Sequence, residues 1–467
     1  MTMGMAMQPA ALLPEICLLV GALVALLGGS FLPRRRQWVA RLVAVVALLA
    51  SGAAALAASG NPARLVYTDT FAVDSTTTAA RLVVAAATLL VIGLGVDELA
   101  GGRQESETYT LLLLSALGAV VMAGAADLLV LAVGFLLASI PLYGLIGMSR
   151  TPRAAEAAVK TYLLGALFGI TMLLGVTVLF GVGGTTTYTS LTSGLQDAPA
   201  AAVAVGVVAV LAGLMFKAGA VPGHFWVPDA AQGAGTTAAA FLTTLPKVGA
   251  VIAAYRLVEV VAGAAGTGLL VAGVAVLSMT LGNLAAFAQN DPRRLLGWST
   301  VSQVGYLLVP VAVAGRSDLA LPSLLLYLAA YAVTNLAAFA VVAALPARRT
   351  LAEYRGLGRH RPWLAGALLV SLLGLVGTPP TAVFVGKLTT ASAAWDGGLP
   401  WLAAAVLVNT LLSLFYYLRW LAPVVARADP GAAGPAPRPF AEVAAVLAAA
   451  ASLLAGLMSG VLLSLWS

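Results

Sequence analysis

GLMFKAGAVPGHFWVPDAAQG, residues 213–233, decides how the whole chain is read. An apolar run ends on Lys217 and meets Pro222 five residues later. Backbone broken at membrane depth leaves peptide groups without helical partners, and a bilayer tolerates this only where the break is buried in protein or lines a hydrated cavity. An ionisable amine beside such a break is costly in lipid and marks ion or proton paths. The segment therefore implies a membrane around it and other ionisable groups along the same route.

The composition supplies the membrane. Of 467 residues, 61% are hydrophobic and only 9% charged, with a mean hydropathy of +0.99. A water-soluble chain of this length carries about a quarter of its residues as charges. About 20 apolar residues cross the hydrocarbon core at 1.5 Å each. Stretches meeting or nearly meeting that test fall at 11–30, 38–59, 79–96, 109–123, 127–148, 160–181, 200–220, 236–261, 267–288, 299–314, 322–345, 363–389, 400–424 and 441–465. The expectation is an all-α integral membrane protein of about fourteen spans, a single polytopic domain over 1–467 with no soluble module. The start, MTMGMAMQPA, resembles a signal peptide, but Pro14 and Glu15 interrupt the apolar run, and the first helix is expected to be retained.

The loops test this map. One side holds Arg34, Arg35, Arg36, Arg103, Arg150, Arg153, Arg293, Arg294, Arg348, Arg349, Arg355, Arg359, Arg361, Arg427 and Arg438; the other holds Arg64 and Arg316. Positive loops stay cytoplasmic, so both termini are expected outside a cell membrane. The formal charge of +7 is explained by these loops, which leaves no reason to invoke nucleic acid. Cys17, the single cysteine, lies in the first apolar run and excludes a disulfide framework or a cysteine metal cluster.

Against 21 arginines stand four lysines, and all four abut or enter spans. Lys217 ends the seventh, Lys247 lies within the eighth, Lys387 near the end of the twelfth, and Lys160 opens the sixth. Arginine stays charged, whereas a lysine amine in a suitable environment can gain and lose a proton. Snorkelling from a helix end suits Lys160 best and Lys247 and Lys387 least. Pro246 directly precedes Lys247, and Pro379 and Pro380 precede Lys387. Spans seven and twelve run in opposite directions, and each pairs a lysine with a break, as an inverted repeat predicts. His224, just after Lys217, either relays protons among Lys217, Lys247 and water or serves as an interfacial residue beside Trp226; His360 sits in a loop between Arg359 and Arg361. Hydroxyls in spans eight, eleven and twelve could hold waters, although in membrane helices they more often bond their own backbone.

At these residues the sequence resembles the antiporter-like membrane subunits of respiratory complex I, specifically subunit N. The resemblance runs through PEICLLVGAL (14–23), PLYGLIG (141–147), AAEAAVK (154–160), FKAGAVPGHFWVPDAAQG (216–233), FLTTLPK (241–247), RRLLGWSTVSQVGYLL (293–308), YRGLGRHRP (354–362) and GTPPTAVFVGK (377–387), in the family's order. It implies inverted repeats of five helices, 4–8 and 9–13, with helices 7 and 12 broken and helices 1–3 and 14 flanking. It assigns proton transfer to Lys217, Lys247 and Lys387, and matches Lys160 to a lysine at the start of the sixth helix. It further implies a subunit of a proton-translocating NADH:quinone oxidoreductase, with subunit M and the small membrane subunits as partners. NADH, flavin, iron–sulfur clusters and quinone then belong to partner subunits, and none to this chain, which lacks a Gly-rich nucleotide fingerprint and a cysteine cluster.

One position departs from the family. Its fifth helix carries a glutamate in G-x-E-L-x-S-L-P-L-Y; here GFLLASIPLY, Gly134 to Tyr143, places Leu136 there. Asp127 lies nine residues away, roughly 13 Å along a helix. Lys217 thus lacks the carboxylate that would favour its charged form. Two alternatives stay open: a degenerate scaffold subunit that conducts few protons, and a cation/proton antiporter subunit. QGAGTTA, 232–238, also lacks the prolines usual after QG, so the eighth helix is expected to begin differently.

Overall fold

In lipid, helices satisfy every peptide group internally, and the chain obeys that rule almost throughout. The computed structural model describes residues 8–261, 266–427 and 436–465. Its helices are α1 (Leu13–Phe31), α2 (Trp38–Ala58), α3 (Ser75–Leu99), α4 (Glu105–Gly124), α5 (Leu128–Gly147), α6 (Pro152–Gly183), α7 (Tyr188–Gly194), α8 (Ala200–Ala218), α9 (Trp226–Gly233), α10 (Thr236–Val260), α11 (Thr267–Phe287), α12 (Pro292–Ala312), α13 (Ala320–Ala344), α14 (Leu357–His360), α15 (Pro362–Val376), α16 (Ala382–Asp396), α17 (Pro400–Val425), α18 (Pro439–Leu457) and α19 (Ser459–Ser464). Thirteen of these are long and apolar enough to cross a membrane on their own. The fourteenth crossing is α15 and α16 together, which is the expected broken twelfth span.

Three boundaries differ from expectation. Pro152 begins α6 under a Thr151 cap, so Lys160 lies two turns inside the helix and does not open it. The fourth and tenth spans, short by hydropathy, are full helices of 20 and 21 residues because their polar first turns are also helical. The last span divides at Met458 into α18 and α19. A small antiparallel hairpin, β1 (Arg64–Val66) with β2 (Phe71–Val73), is added to the all-α expectation. It packs on Ala11 beneath the buried pair Arg81–Glu15, 2.8 Å apart.

Helix α10 is enclosed on every side, and α12 and α13 nearly so, whereas α1, α2, α6, α17 and α18 turn Leu, Val and Phe side chains outward. Small residues permit close packing of neighbouring spans. A Cβ at Gly118 would meet the Ala138 backbone, and one at Gly282 would meet the Ser302 backbone. Asp127 caps α5 and Asp291 caps α12 with the same pair of bonds, to the second and third following N–H groups. The same number of residues separates Gly118 from Gly282, Ala138 from Ser302 and Asp127 from Asp291.

Candidate proton-transfer site

The two broken spans share one backbone solution. Helix α8 ends on Gly219 at φ 86° and α15 on Gly377 at φ 89°, a region that glycine enters without a Cβ penalty. In α8 the N–H of Ala220 returns to Met215 O and that of Gly219 to Phe216 O; in α15 Thr378 returns to Leu373 O and Gly377 to Gly374 O. Three residues after each glycine comes a cis proline, Val221–Pro222 in one and Pro379–Pro380 in the other. The same helix break is therefore built twice.

The amines occupy acceptors that helix irregularities expose. Pro246 has no N–H, so the Leu242 carbonyl one turn back loses its helical donor. Lys247 Nζ donates to that carbonyl at 2.6 Å and lies 5.1 Å from the Trp226 ring centroid. The last turn of α15 likewise ends with unpaired carbonyls. Lys387 Nζ reaches back from α16 to Leu375 O at 3.2 Å and Val376 O at 2.9 Å, over the Tyr306 ring at 4.0 Å. Lys217 differs: its amine donates to the Ser139 hydroxyl of α5 at 3.0 Å and sits 6.0 Å from the Phe135 ring centroid. These three lysines are 1%, 0% and 4% exposed for Lys217, Lys247 and Lys387. None forms an ion pair among the described residues.

Carbonyl and hydroxyl oxygens accept from an amine whether it is charged or neutral, so protonation can change without dismantling these bonds. The aromatic faces add attraction that operates only on the charged form.

Between Lys247 and Lys387 lies a polar seam that hydropathy does not reveal. Asn335 of α13 donates to Thr243 and Thr244, the Tyr331 hydroxyl donates to Thr243 O at 2.7 Å and lies 3.1 Å from the Thr300 hydroxyl, and Tyr327 donates to Gln303. Gln303 in turn donates to Leu375 O, the carbonyl shared with Lys387. The hydroxyls of Thr243 and Thr334 bond their own helices, as expected for membrane spans, while the tyrosines reach across. Asn335 Oδ1 lacks a partner among the described residues, which leaves acceptor capacity in the seam. Reading residue types in isolation misses Ser139, Gln303 and Asn335, while Tyr331 falls among the hydroxyls expected in the eleventh span. The available signal was polar side chains, unusual in so apolar a chain, recurring one turn apart in α12 and α13.

The remaining expected residues lie elsewhere. His224 is buried against Phe225 and Trp298, its Nδ1 is unpartnered among the described groups, and no hydrogen bond there joins it to Lys217 or Lys247. Half-exposed Lys160 pairs with Glu156 at 2.6 Å and Asp229 at 3.4 Å, and Arg294 shares Asp229. His360 is exposed in α14. On the opposite side, Arg256 at the end of α10 bonds Asp74; burial raises that carboxyl's pKa, but Arg256 and Thr77 outweigh it and hold it below its ordinary value.

A helical bundle with two spans broken after a glycine, and a buried lysine beside each break, agrees with the resemblance to the antiporter-like membrane subunits. The family described as "NADH:quinone oxidoreductase/Mrp antiporter, TM" matches residues 125–413. NADH-quinone oxidoreductase subunit N of Mycobacterium sp. (strain JLS) is 57% identical over 97% of both chains. A chain in the structure of respiratory complex I from Thermus thermophilus with bound aureothin superposes with a TM-score of 0.83 at 32% identity, over 97% of this chain and 98% of that one. A chain of the Mrp complex from Dietzia sp. DQ12-45-1b shares the fold at a TM-score of 0.86 and 23% identity, over 98% and 96% of the two chains. The chain belongs to the NADH-quinone oxidoreductase subunit N family.

Proposed function

We propose that this chain is a proton-translocating membrane-arm subunit of NADH:quinone oxidoreductase, with a path through Lys217, Lys247 and Lys387. The observation that carries the reading is the placement of three buried amines on acceptors exposed at helix irregularities or on a neighbouring hydroxyl, without a carboxylate partner among the described residues. A merely structural lysine in lipid would be neutralised by an ion pair or snorkel to the surface. Protons pass as water wires on alternate sides of each lysine open, driven by the electrostatics of neighbouring subunits. The Asn335–Tyr331–Gln303 seam supplies sites for water between Lys247 and Lys387. His224 serves uptake toward Lys217 through its free Nδ1, and Lys160 orders the surface around Asp229.

Helices α4–α10 and α11–α17 form the two inverted repeats, flanked by α1–α3 and α18–α19; the duplicated break and matched aspartate caps support this division. Electron transfer, with its NADH, flavin, iron–sulfur clusters and quinone, resides on partner subunits. Subunit M and the small membrane subunits are its neighbours in the cell membrane, with both termini outside.

The test is the proton-to-electron ratio of the reconstituted complex carrying Lys247→Ala: a reduced ratio with assembly intact supports the path, and an unchanged ratio overturns it. A scaffold reading draws on one observation, the absence of a carboxylate at Lys217, since Leu136 is 42% exposed on the outer face of α5. Restoring Leu136→Glu separates the two readings, because a scaffold shows no gain in proton yield. The antiporter reading instead requires sodium-dependent exchange and co-purification without flavin or iron–sulfur subunits.

A further inference from the structure

On the arginine-rich side, a cavity of about 530 Å³ opens where the N-termini of α6, α10, α12 and α18 converge. Helix N-termini present unpaired N–H groups and a partial positive charge. Three of the four have their own carboxylate. Glu98 accepts from the N–H groups of Thr236 and Thr237 on α10, Asp291 from those of Arg293 and Arg294 on α12, and Asp97 from those of Phe440 and Ala441 on α18. Helix α6 has only the Thr151 hydroxyl and no acidic residue in its first turn.

The wall compounds that deficit. Arg153, Arg293, Arg348, Arg349 and Arg438 line the cavity against only Glu98 and Asp291, both already spent on helix ends. Arg293 gives an N–H to Ala234 O, but no ion pair reaches any of the five among the described residues. Arg348 lines the cavity with its guanidinium carbon 5.6 Å from the Tyr354 ring centroid, and its Nη1 is buried without a hydrogen-bond partner among the described residues. Guanidinium forks and an open helix N-terminus together match the several oxygens of a tetrahedral oxyanion.

We propose that this cavity binds a phosphate group, held by Arg348, Arg438 and Arg153 at the N-terminus of α6. The group comes either from the headgroup of an anionic phospholipid or from a soluble phosphate. It is distinct from the lysine path and does not depend on the proton-transfer reading.

The experiment uses the purified, delipidated complex. Wild-type and Arg348→Gln/Arg438→Gln complexes are equilibrated with phosphatidylglycerol–phosphatidylcholine vesicles, and retained lipid is quantified by native mass spectrometry. In parallel, the thermal midpoint of each is followed in inorganic phosphate and in chloride at equal ionic strength. A lipid source predicts roughly tenfold weaker phosphatidylglycerol retention by the variant. A soluble source predicts equal retention, with a phosphate-specific rise in midpoint for wild type that the variant lacks. If the double variant does not assemble, Arg153→Gln replaces it in both comparisons. Retention and midpoint that ignore both phosphate and the substitutions overturn the proposal, as does cross-linking from position 438 that captures an acidic segment of a neighbouring subunit in the cavity.

Discussion

The break after α8 and the break after α15 have one backbone and two chemistries. Both turn on a left-handed glycine followed at the same spacing by a cis proline. At the first, the Phe216 carbonyl, which accepts the Gly219 N–H, also accepts the indole N–H of Trp226 at 2.9 Å, and Lys217, placed before the break, looks away to Ser139 on another span. At the second, the freed carbonyls of Leu375 and Val376 are taken by Lys387, placed after the break and folded back on its own span. The two breaks thus share a backbone, and they differ in the side chain that bonds it: an indole at the first and a lysine amine at the second. Trp226 gives the first a donor that does not titrate, and its ring faces Lys247 instead.

Substitution at the second break has the largest expected effect. Lys387→Met keeps an apolar stem but removes the donor to Leu375 and Val376, and proton translocation assigned to this chain should be lost. Fluorescence quenching by a pH-gradient dye in proteoliposomes, normalised to NADH oxidation, reads it. Persistence of the wild-type ratio would show that the second break is as much a scaffold as the first.

Trp226 sharpens the contrast from the other side. Trp226→Phe retains a ring near Lys247 but removes the indole donor to Phe216 O, which keeps the Gly219 N–H, so the cost is that of one lost hydrogen bond, about 1 kcal/mol. Complex stability should fall in detergent melting while the proton ratio holds. Trp226→Leu removes the ring as well and should lower both. Equal proton ratios in the two variants would deny the ring any role at Lys247.

The glycines test whether the breaks are mechanically equivalent. Alanine at either position pays roughly 1–2 kcal/mol for left-handed backbone. The surroundings then diverge: a Cβ at 219 meets Val227 Cγ2 at 2.6 Å, whereas one at 377 meets Lys387 Cδ at 3.0 Å. Gly219→Ala should therefore destabilise the complex more, by melting temperature. Gly377→Ala, displacing a flexible stem, should cost less stability but disturb proton yield.

Much of this was legible in the sequence because it rests on local chemistry. Fourteen crossings, the break at 377–381 and the tie between Pro246 and Lys247 all follow from runs of apolar residues and from what proline removes. The extent of α6 was not, because Ala154–Ala158 and Glu156 form helix beyond the apolar stretch that hydropathy registers. Nor was the partner of Lys217, which sits 78 positions away on α5 and is an unremarkable serine in sequence. The seam of Asn335, Tyr331 and Gln303 likewise exists only through packing of α10, α12, α13 and α15, so pattern reading saw hydroxyls and could not say which reach across. At the QGAG segment α9 ends at Gly233 and α10 starts at Thr236 without a proline.

Ser139 carries the smallest expected effect and the finest distinction. Its hydroxyl accepts from Lys217 and donates to Phe135 O, forming a two-step link from the amine to the backbone of α5. Ser139→Ala removes the acceptor while leaving the helix intact, since the Phe135 carbonyl keeps its helical donor; the loss should be about 1 kcal/mol. Ser139→Thr preserves the hydroxyl and should restore it. If Lys217 moves protons by way of this hydroxyl, Ser139→Ala lowers the proton-to-electron ratio and Ser139→Thr recovers it. Should both leave the ratio at wild type, Lys217 belongs with Trp226 as part of the scaffold, and the movable protons are confined to Lys247 and Lys387, where the acceptors are backbone carbonyls that helix irregularities leave open.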